Sequence, residues 1–438
     1  PISSLVFLTP ESGHPRDLPY LVFAEMALSL RRYILYGFND DLNYILKQRI
    51  QKERERLPAI AIEIGDVLPE NVIVEILSWL PVKALLQFKT VCKSWYGIIS
   101  SHDFIFKHLK NYYDHNDDDN HCLLAHYDIS NAELELHEFF VDEPPTVLAG
   151  QVLDEVPIYS SYVSGPCDGI YYLFHYDRAL WNPAINEVKI LPPIITKPNL
   201  PSNRTYLPPE VCGFGYDTVT RDYKVVVLKG YCCEDDEATL PSSVLIYSFR
   251  KDSWRYWGDL TRYYPLPEND CYINVNGCFY WLNRGNSESI ISFDMATDAI
   301  HENIQVPAYE SRDDHDPYSN NTLAVYDDSL AFLIVREHEK CLDIWNWIGR
   351  LWTKKFTMTT TTTIRRPIGH WKKNKFIIES AEYGLFLCDP TTQEIRDLAL
   401  FMGRWCYGVF AYKESLLSIK DGNKWGHHKR TEKDGDHV

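Results

Sequence analysis

The sequence predicts an α+β chain of more than one domain: a small three-helix unit, then an all-β, propeller-like domain. Apolar stripes at helical spacing are concentrated in the segment 68–109. Beyond residue 110 the pattern changes to short, aromatic-rich strands separated by turn residues, and it recurs about every fifty residues. With 438 residues, 45% of them hydrophobic, the chain is long enough for two domains with sizeable cores.

The helical segment contains three successive short stretches, with Pro69 in the first turn of the first and Pro81 at its end. Their stripes are Val72, Ile73, Ile76, Leu77 and Leu80, then Val82, Leu85, Leu86 and Phe88, then Val91, Cys92, Trp95, Ile98 and Ile99. So small a unit cannot bury this much apolar surface by itself. We expect either the rest of the chain or a partner protein to cover it.

The spacing of Leu68-Pro69, Leu80-Pro81-Val82 and Val91-Cys92-Lys93-x-Trp95 resembles the F-box. In that family the three helices dock onto a small Skp-type adaptor, which bridges to a cullin–RING ubiquitin ligase. The resemblance implies that the adaptor-facing residues are Leu68, Pro69, Ile76, Leu80, Pro81, Leu85, Val91, Cys92 and Trp95. The alternative is that some of these side chains only hold the three helices together.

The β-rich part of the sequence contains six similar units, each an apolar strand, a polar turn and a second strand. Equivalent positions are Cys122, Ile170, Val225, Phe279, Ala331 and Phe376, which lie 48, 55, 54, 52 and 45 residues apart. Such a period is typical of kelch-type propeller blades, although the double glycine of true kelch repeats is missing. We expect a closed propeller of roughly six blades, with a β-sandwich as the alternative for part of it.

Several short motifs in the strands resemble the F-box-associated domain of plant F-box proteins, in particular the S-locus F-box class of pollen. They are Cys167-Asp168-Gly169, Asn182-Pro183-Ala184, Gly213-Phe214-Gly215-Tyr216-Asp217, Asp222-Tyr223-Lys224-Val225-Val226 and Tyr412-Lys413-Glu414-Ser415-Leu416. The family has Asn where this chain has Asp168, and both residues suit a turn. The resemblance implies a domain that recognises a target protein, and the S-locus class suggests the basic secreted ribonucleases of the style.

The sequence divides into four segments. Residues 1–65 form an N-terminal extension without a readable motif, which is a mis-joined exon, a fragment start or a real appendage. Residues 66–110 form the F-box and 111–420 the β domain, with an acidic linker at 114–120. Residues 421–438 are a polar tail, expected to be disordered.

The acidic charge belongs to the β-rich part of the chain. The formal net charge is −17, and beyond residue 110 there are 49 acidic and 31 basic residues, a net charge of −18. An acidic domain repels phosphate backbones, so nucleic acid is not an expected partner. It would steer a basic protein towards itself, unless the charge serves only to keep a large domain soluble.

The eleven cysteines are scattered and odd in number, with no Cys-x-x-Cys pair, as in proteins of a reducing compartment. We therefore expect a cytoplasmic protein, also nuclear, and no apolar run is long enough to span a membrane. No cofactor or metal is expected. Gly213-x-Gly215 lacks the third glycine and following helix of a phosphate loop, so both are expected to be structural glycines.

These features predict a non-catalytic, substrate-recognising subunit of an SCF-type (Skp–cullin–F-box) ubiquitin ligase. One alternative is the same role with an unrelated plant target in stress or hormone signalling. A second is a propeller enzyme or sugar-binding module, which would need a cluster of catalytic side chains that the sequence does not offer. The acidic run Glu234–Glu237 and the stretch Arg312–Asp316 lie between predicted strands, where binding surfaces are often built.

Overall fold

The computed structural model describes most of the chain from Pro69 onward, and the helices and the strands form two compact units. The described residues are 69–115, 122–129, 133–140, 151–152, 160–175, 177–195, 204–233, 239–264, 272–283, 288–308, 321–371, 374–401 and 406–420. Leu68, the predicted extension 1–65 and the predicted tail 421–438 lie outside them. So do the acidic run Glu234–Glu237 and the stretch Arg312–Asp316.

The described part of the helical unit, residues 69–115, contains four helices rather than the three predicted. They are α1 (Glu70–Leu77), α2 (Val82–Phe88), α3 (Lys93–Ile99) and α4 (His102–His115). The fourth passes the predicted boundary at residue 110 and enters the segment predicted to be an acidic linker. Ser101 starts this helix, because its hydroxyl accepts a hydrogen bond from the Phe104 amide at 3.3 Å. Helix α4 then continues the apolar pattern with Phe104, Ile105 and Leu109, all of which are buried.

Large apolar side chains from different helices meet in the interior of this unit. Leu85 in α2 and Ile99 in α3 are fully buried, and Phe88 and Trp95 are each 2% exposed. The rings of Phe88 and Trp95 pack edge to face, with centroids 5.2 Å apart. Short helices of seven and eight residues are marginal alone, so this packing is what stabilises them.

A buried histidine ties α4 to the end of α1. His108 is fully buried, and its Nε2 lies 2.8 Å from the carbonyl oxygen of Leu80. Since a carbonyl can only accept, Nε2 carries the proton of the neutral ring. Burial lowers the pKa of His108, although the bond to Leu80 opposes part of that effect.

The described strands form six antiparallel, four-stranded sheets, here called blades 1 to 6. Blade 1 contains β1 (Cys122–Ile129), β2 (Glu133–Phe140), β3 (Gln151–Val152) and the last strand, β24 (Cys406–Tyr412). Blade 2 contains β4 (Ser160–Cys167), β5 (Ile170–His175), β6 (Ala179–Asn182) and β7 (Glu187–Ile190). Blade 3 contains β8 (Arg204–Asp217), β9 (Asp222–Cys233), β10 (Thr239–Ser248) and β11 (Ser253–Asp259).

The remaining blades repeat this arrangement. Blade 4 contains β12 (Tyr272–Val275), β13 (Cys278–Asn283), β14 (Ser289–Asp294) and β15 (Ile300–Gln305). Blade 5 contains β16 (Thr322–Tyr326), β17 (Ser329–Arg336), β18 (Cys341–Ile348) and β19 (Leu351–Thr359). Blade 6 contains β20 (Ile364–Trp371), β21 (Lys375–Ser380), β22 (Gly384–Asp389) and β23 (Glu394–Phe401).

The blades form a closed ring. One edge strand of each blade contacts the corresponding edge strand of the next blade, in the order β24, β4, β8, β12, β16 and β20. Strand β20 in turn contacts β24. Strand β24 pairs antiparallel with β1, with Tyr412 opposite Cys122 and Phe410 opposite Leu124. The end of the chain therefore completes the blade that its beginning starts, which leaves no open sheet edge between the first and last blades.

This ring confirms the predicted propeller, and the sandwich alternative finds no counterpart in the six described sheets. The six residues aligned as equivalent in the sequence all fall in the second strand of a blade. Apolar clusters fill the space between consecutive blades. One joins blades 3 and 4 around Val226 and Phe293, and another joins blades 5 and 6 around Leu333 and Ile378.

The two glycines of the Gly213-x-Gly215 motif have a packing role. A Cβ atom on Gly213 would lie 2.7 Å from Cδ1 of Phe279, and one on Gly215 would lie 2.9 Å from Cε2 of the same ring. Real Cβ atoms do not come so close to other heavy atoms. The two glycines therefore leave the space that the Phe279 ring occupies. This packing role agrees with the prediction that both are structural glycines.

We expect the closing strand to be necessary for cooperative folding of the ring. A chain ending at Phe401 lacks β24 and exposes the edge of β1, so it should lose the cooperative thermal transition and become sensitive to protease. A chain ending at Lys420 keeps β24 and serves as the control. Indistinguishable melting curves for the two chains would show that β24 does not close the ring.

We also expect acid to weaken the helical unit through His108. The unfolded state takes up a proton as the pH falls below about 6.5, whereas the buried ring resists protonation. Stability is therefore complete above that pH and declines below it. His108→Gln keeps a neutral donor for the Leu80 carbonyl and should flatten the dependence, while His102→Gln on the same helix should not. Thermal unfolding between about pH 7 and pH 5 measures this, and equal slopes in wild type and His108→Gln would contradict it.

Candidate functional site

Three of the nine predicted adaptor-facing residues lie inside the helical unit. Leu80, Leu85 and Trp95 are 6%, 0% and 2% exposed. Side chains so buried present almost no surface to a partner in this conformation, and their packing stabilises the helices. For these three residues the structure favours the alternative that they hold the helices together. Direct adaptor contact by them stays a prediction.

The other predicted residues within the described range reach the surface. Pro69 is exposed, and Ile76, Pro81, Val91 and Cys92 are partly exposed. Such apolar atoms at the surface of a small helical unit are typical of a protein-binding face. For these five residues, contact with an adaptor stays a prediction that their exposure permits.

Tyr96 in α3 is a further exposed aromatic residue that the sequence did not single out. Its side chain is 58% exposed, although the preceding residue, Trp95, is buried. Tyrosine is among the residues enriched where protein surfaces bind one another. Helical periodicity alone gave no signal for it, because Tyr96 lies off the apolar stripe.

An open groove runs between α1, α3 and α4. It is lined by Val74, Lys93, Gly97, Ile98, Phe104 and Lys107, among others, and by none of the nine predicted residues. A Cβ atom on Gly97 would meet nothing within 4 Å, so the groove is empty at this point. The helical unit therefore has a second concave surface apart from the predicted face.

A polar network joins α1 to α4 at the surface. Lys107 Nζ lies 2.6 Å from Glu75 Oε2, and the Trp79 indole donates to Glu75 Oε1 at 3.1 Å. The hydrogen bond from Lys107 is the main reason that the pKa of Glu75 is lowered. Both members of the ion pair are more than a third exposed, so we expect it to orient the helices more than it stabilises them.

The second helix takes its N-terminal cap from a distant part of the chain. Helix α2 begins after Pro81, which has no side chain that could cap it. Instead, Glu414 Oε2 accepts a hydrogen bond from the Val82 amide at 3.2 Å, and Glu414–Leu416 belongs to the same compact unit as the helices. A carboxylate is favourable at this end of a helix. No local signal could reveal it, because the two residues are 332 positions apart.

The charged groups inside the propeller are paired with one another. Lys224, 7% exposed, lies 2.7 Å from Asp217 and 2.9 Å from Asp298. Asp168 accepts a hydrogen bond from the Tyr223 hydroxyl at 2.7 Å, and burial raises the pKa of this carboxyl. The first arrangement joins blade 3 to blade 4, and the second joins blade 2 to blade 3. Within the described residues, no group of three His, Cys, Asp or Glu side chains is placed to hold a metal ion.

The seven cysteines whose side chains the structure describes are free thiols: Cys92, Cys167, Cys212, Cys232, Cys278, Cys341 and Cys388. Cys388 is fully buried, and burial raises its pKa to about 12, so its thiol stays protonated. Burial also raises the pKa of Cys167 well above its ordinary value. These cysteines behave as small apolar residues.

One segment of the propeller departs from the acidic character of the rest. Residues 336–375 contain ten basic and three acidic side chains, although the chain beyond residue 110 has a net charge of −18. The net charge summed over everything beyond residue 110 does not reveal this local excess of basic residues. It covers β18, β19 and β20, so a basic region lies within blades 5 and 6.

None of the helices in the described part of the chain has the length and apolar content needed to cross a membrane.

Two family models match the two structural units. The model of the F-box domain matches residues 66–107, which include α1, α2 and α3. The model of the F-box associated beta propeller domain matches residues 120–414, which is more than half of the chain and includes every strand of the six blades.

Relatives from Arabidopsis thaliana are F-box proteins. One F-box protein is 27% identical over 294 residues, covering 64% of this chain and 69% of the relative. A second is 28% identical over 260 residues, covering 56% and 64%. F-box protein CPR1 is 24% identical over 364 residues, covering 76% and 84%. The second match spans slightly less than two thirds of the relative's own length. The chain belongs to the family of the F-box-associated β-propeller domain, and it carries an F-box domain ahead of that propeller.

Proposed function

We propose that this protein is the substrate-recognising subunit of an SCF-type ubiquitin ligase. The observation that carries the proposal is the match of an F-box and an F-box-associated propeller to two separate compact units. Each unit would serve one partner. The helices would bind a Skp-type adaptor, and through it a cullin, while the propeller would bind the protein to be modified.

Such a receptor promotes ubiquitin transfer by proximity. Holding a target beside a charged ubiquitin-conjugating enzyme raises the effective concentration of its lysines, so transfer no longer waits for a chance encounter. The chain itself would make and break no bonds. The pairing of Lys224 with Asp217 and Asp298, and of Asp168 with Tyr223, supports a structural role for these groups. A receptor of this kind would work in the cytoplasm, and also in the nucleus, where thiols stay reduced.

Two classes of target are supported by different observations. The net charge of −18 beyond residue 110 favours a basic protein, such as the style ribonucleases that the S-locus resemblance suggests. The basic segment 336–375 favours an acidic surface on an unrelated plant protein. The net charge of the domain acts on a target at long range, whereas the basic segment acts only on a surface in contact with it. Which class of target binds therefore depends on which surface of the propeller the target touches.

The adaptor part of the proposal is tested at the start of the helical unit. Leu68→Ala with Pro69→Ala should abolish co-purification with a Skp-type adaptor, because both residues belong to the predicted contact face. Pro69 is exposed, so the loss should come without a change in the thermal unfolding of the propeller. Wild-type recovery of the adaptor by this double variant would overturn the docking face.

Leu85→Ala is the comparison variant for the double variant at residues 68 and 69. It tests a residue that affects adaptor binding only by stabilising the helical core. Leu85 is fully buried, so its truncation should cost about 2–5 kcal/mol of stability and reduce helicity together with adaptor binding. The contact variant and the core variant thus differ in their unfolding curves, even if both lose the adaptor.

A further inference from the structure

The outer hairpin of blade 5 ends in apolar side chains that face water. Ile348 ends β18 and Leu351 begins β19, and the two are paired across the strands. Their side chains are 47% and 72% exposed. Single exposed apolar residues are common on protein surfaces, but an adjacent pair at a protruding turn makes a small apolar patch that a partner can cover.

The corresponding positions in four other blades are polar. They are Asn182, Ser248, Asp294 and Asp389, each the last residue of the third strand in its blade. Asp294 Oδ1 accepts hydrogen bonds from the amides of Ala296 and Thr297, and Asp389 Oδ1 does the same with Thr391 and Thr392. Those turns satisfy their own backbone groups. Ile348 cannot, so the blade 5 turn is built differently.

The turn itself places a cation between the two apolar residues. Gly349 and Arg350 have φ angles of 58° and 69°, the geometry of a two-residue type I′ turn, which usually takes Asn and Gly. Arg350 is exposed and forms no ion pair with any described residue. Ile348, Arg350 and Leu351 are here called the blade 5 tip.

Two tryptophans hold the hairpin behind this tip. The rings of Trp347 and Trp352 lie 4.9 Å apart on the face opposite Ile348 and Leu351, and both are partly exposed. The Trp352 indole donates to the carbonyl of Gln305 in blade 4 at 2.7 Å. The tip therefore stands on a fixed support, and the hairpin combines the Trp and Arg that dominate binding energy at protein interfaces.

The hairpin also carries an excess of positive charge. Strands β18 and β19 and their turn contain Arg350, Lys354 and Lys355 against the single carboxylate of Asp343. Asp343 is buried and already lies 2.8 Å from Lys354 and 3.1 Å from Arg336. Its charge is thus taken up inside the blade, and Arg350 and Lys355 stay available.

Carboxylates near this hairpin belong to other turns. Asp327 and Asp328 lie in the inner turn of blade 5, between β16 and β17. The outer hairpin of blade 4 contains three acidic residues and neither lysine nor arginine. Among the outer hairpins of blades 2 to 6, the one in blade 5 has the largest excess of cations. At the tip itself a partner would meet Arg350, while Asp327 and Asp328 lie at the same end of the blade, nearer the centre of the ring.

We propose that the blade 5 tip binds the target protein, through a segment in which apolar side chains are flanked by carboxylates. The inference rests on the proposed function and names the chemistry of its target. Ile348 and Leu351 would be covered by the apolar side chains, and the Arg350 guanidinium would form paired hydrogen bonds with a carboxylate. Specificity arises because a segment flanked by lysine or arginine would be repelled at the same place.

The test is a selection of random peptides on the purified full-length chain. Enriched peptides should combine aliphatic or aromatic residues with Asp or Glu, and a synthetic copy should bind in a fluorescence anisotropy titration. Ile348→Ser with Leu351→Ser should weaken that binding about tenfold or more, and Arg350→Glu should weaken it comparably. All three side chains are at an exposed turn, so thermal unfolding should not change.

The chain offers a matched control at the same face of the ring. Val219 and Arg221 lie in the turn between β8 and β9, and Val219 is 72% exposed, as Leu351 is. This valine is a single apolar residue between threonines, without a second apolar partner. Val219→Ser and Arg221→Glu should therefore leave peptide binding unchanged.

Three results would overturn the inference: no enrichment, enrichment of basic peptides, or equal binding by wild type and the tip variants. Adaptor binding by the same preparations separates this outcome from failure of the proposed function. An adaptor that binds while peptides ignore the tip would remove the inference alone. Peptides that need the tip while no adaptor binds would remove the ligase proposal and leave the tip as a protein-binding site.

Discussion

The pairing of β24 with β1 is the constraint on which the rest of the propeller depends. Each blade buries its apolar faces against its neighbours, so an open ring would leave the faces of blades 1 and 6 exposed to water. Because the last strand completes the first blade, ring formation requires nearly the whole length of the β domain. A surface turn such as the blade 5 tip can then vary without changing the fold, since the clusters between blades carry the stability.

In the helical unit apolar residues have two roles, and the burial of each side chain distinguishes them. Leu85 and Trp95 pack against neighbouring helices, whereas Pro69 and Ile76 leave apolar atoms at the surface. A unit of this size has too little interior to bury every apolar side chain, and the excess is what a partner can cover. Its internal order also depends on polar contacts, among them the buried His108 and the carboxylate of Glu414 at the start of α2.

Local patterns in the sequence predicted the repeats well, because strand alternation and turn residues act over a few positions. All six markers, from Cys122 to Phe376, lie in second strands. Three features escaped prediction for physical reasons. Helix α4 depends on the cap at Ser101, which has no apolar signature of its own. The cap from Glu414 arises only when distant segments meet, and the basic segment 336–375 disappears when charge is summed over the whole domain.

We propose that two separate surfaces of this protein serve two partners. Amide hydrogen exchange on the full-length chain, with and without a Skp-type adaptor, tests it most directly, because protection reports which backbone groups a partner covers or stabilises. We expect slower exchange in residues 70–99 on adaptor binding and unchanged exchange in the hairpin 341–359. Protection of that hairpin by the adaptor, or no protection of the helices, would contradict it.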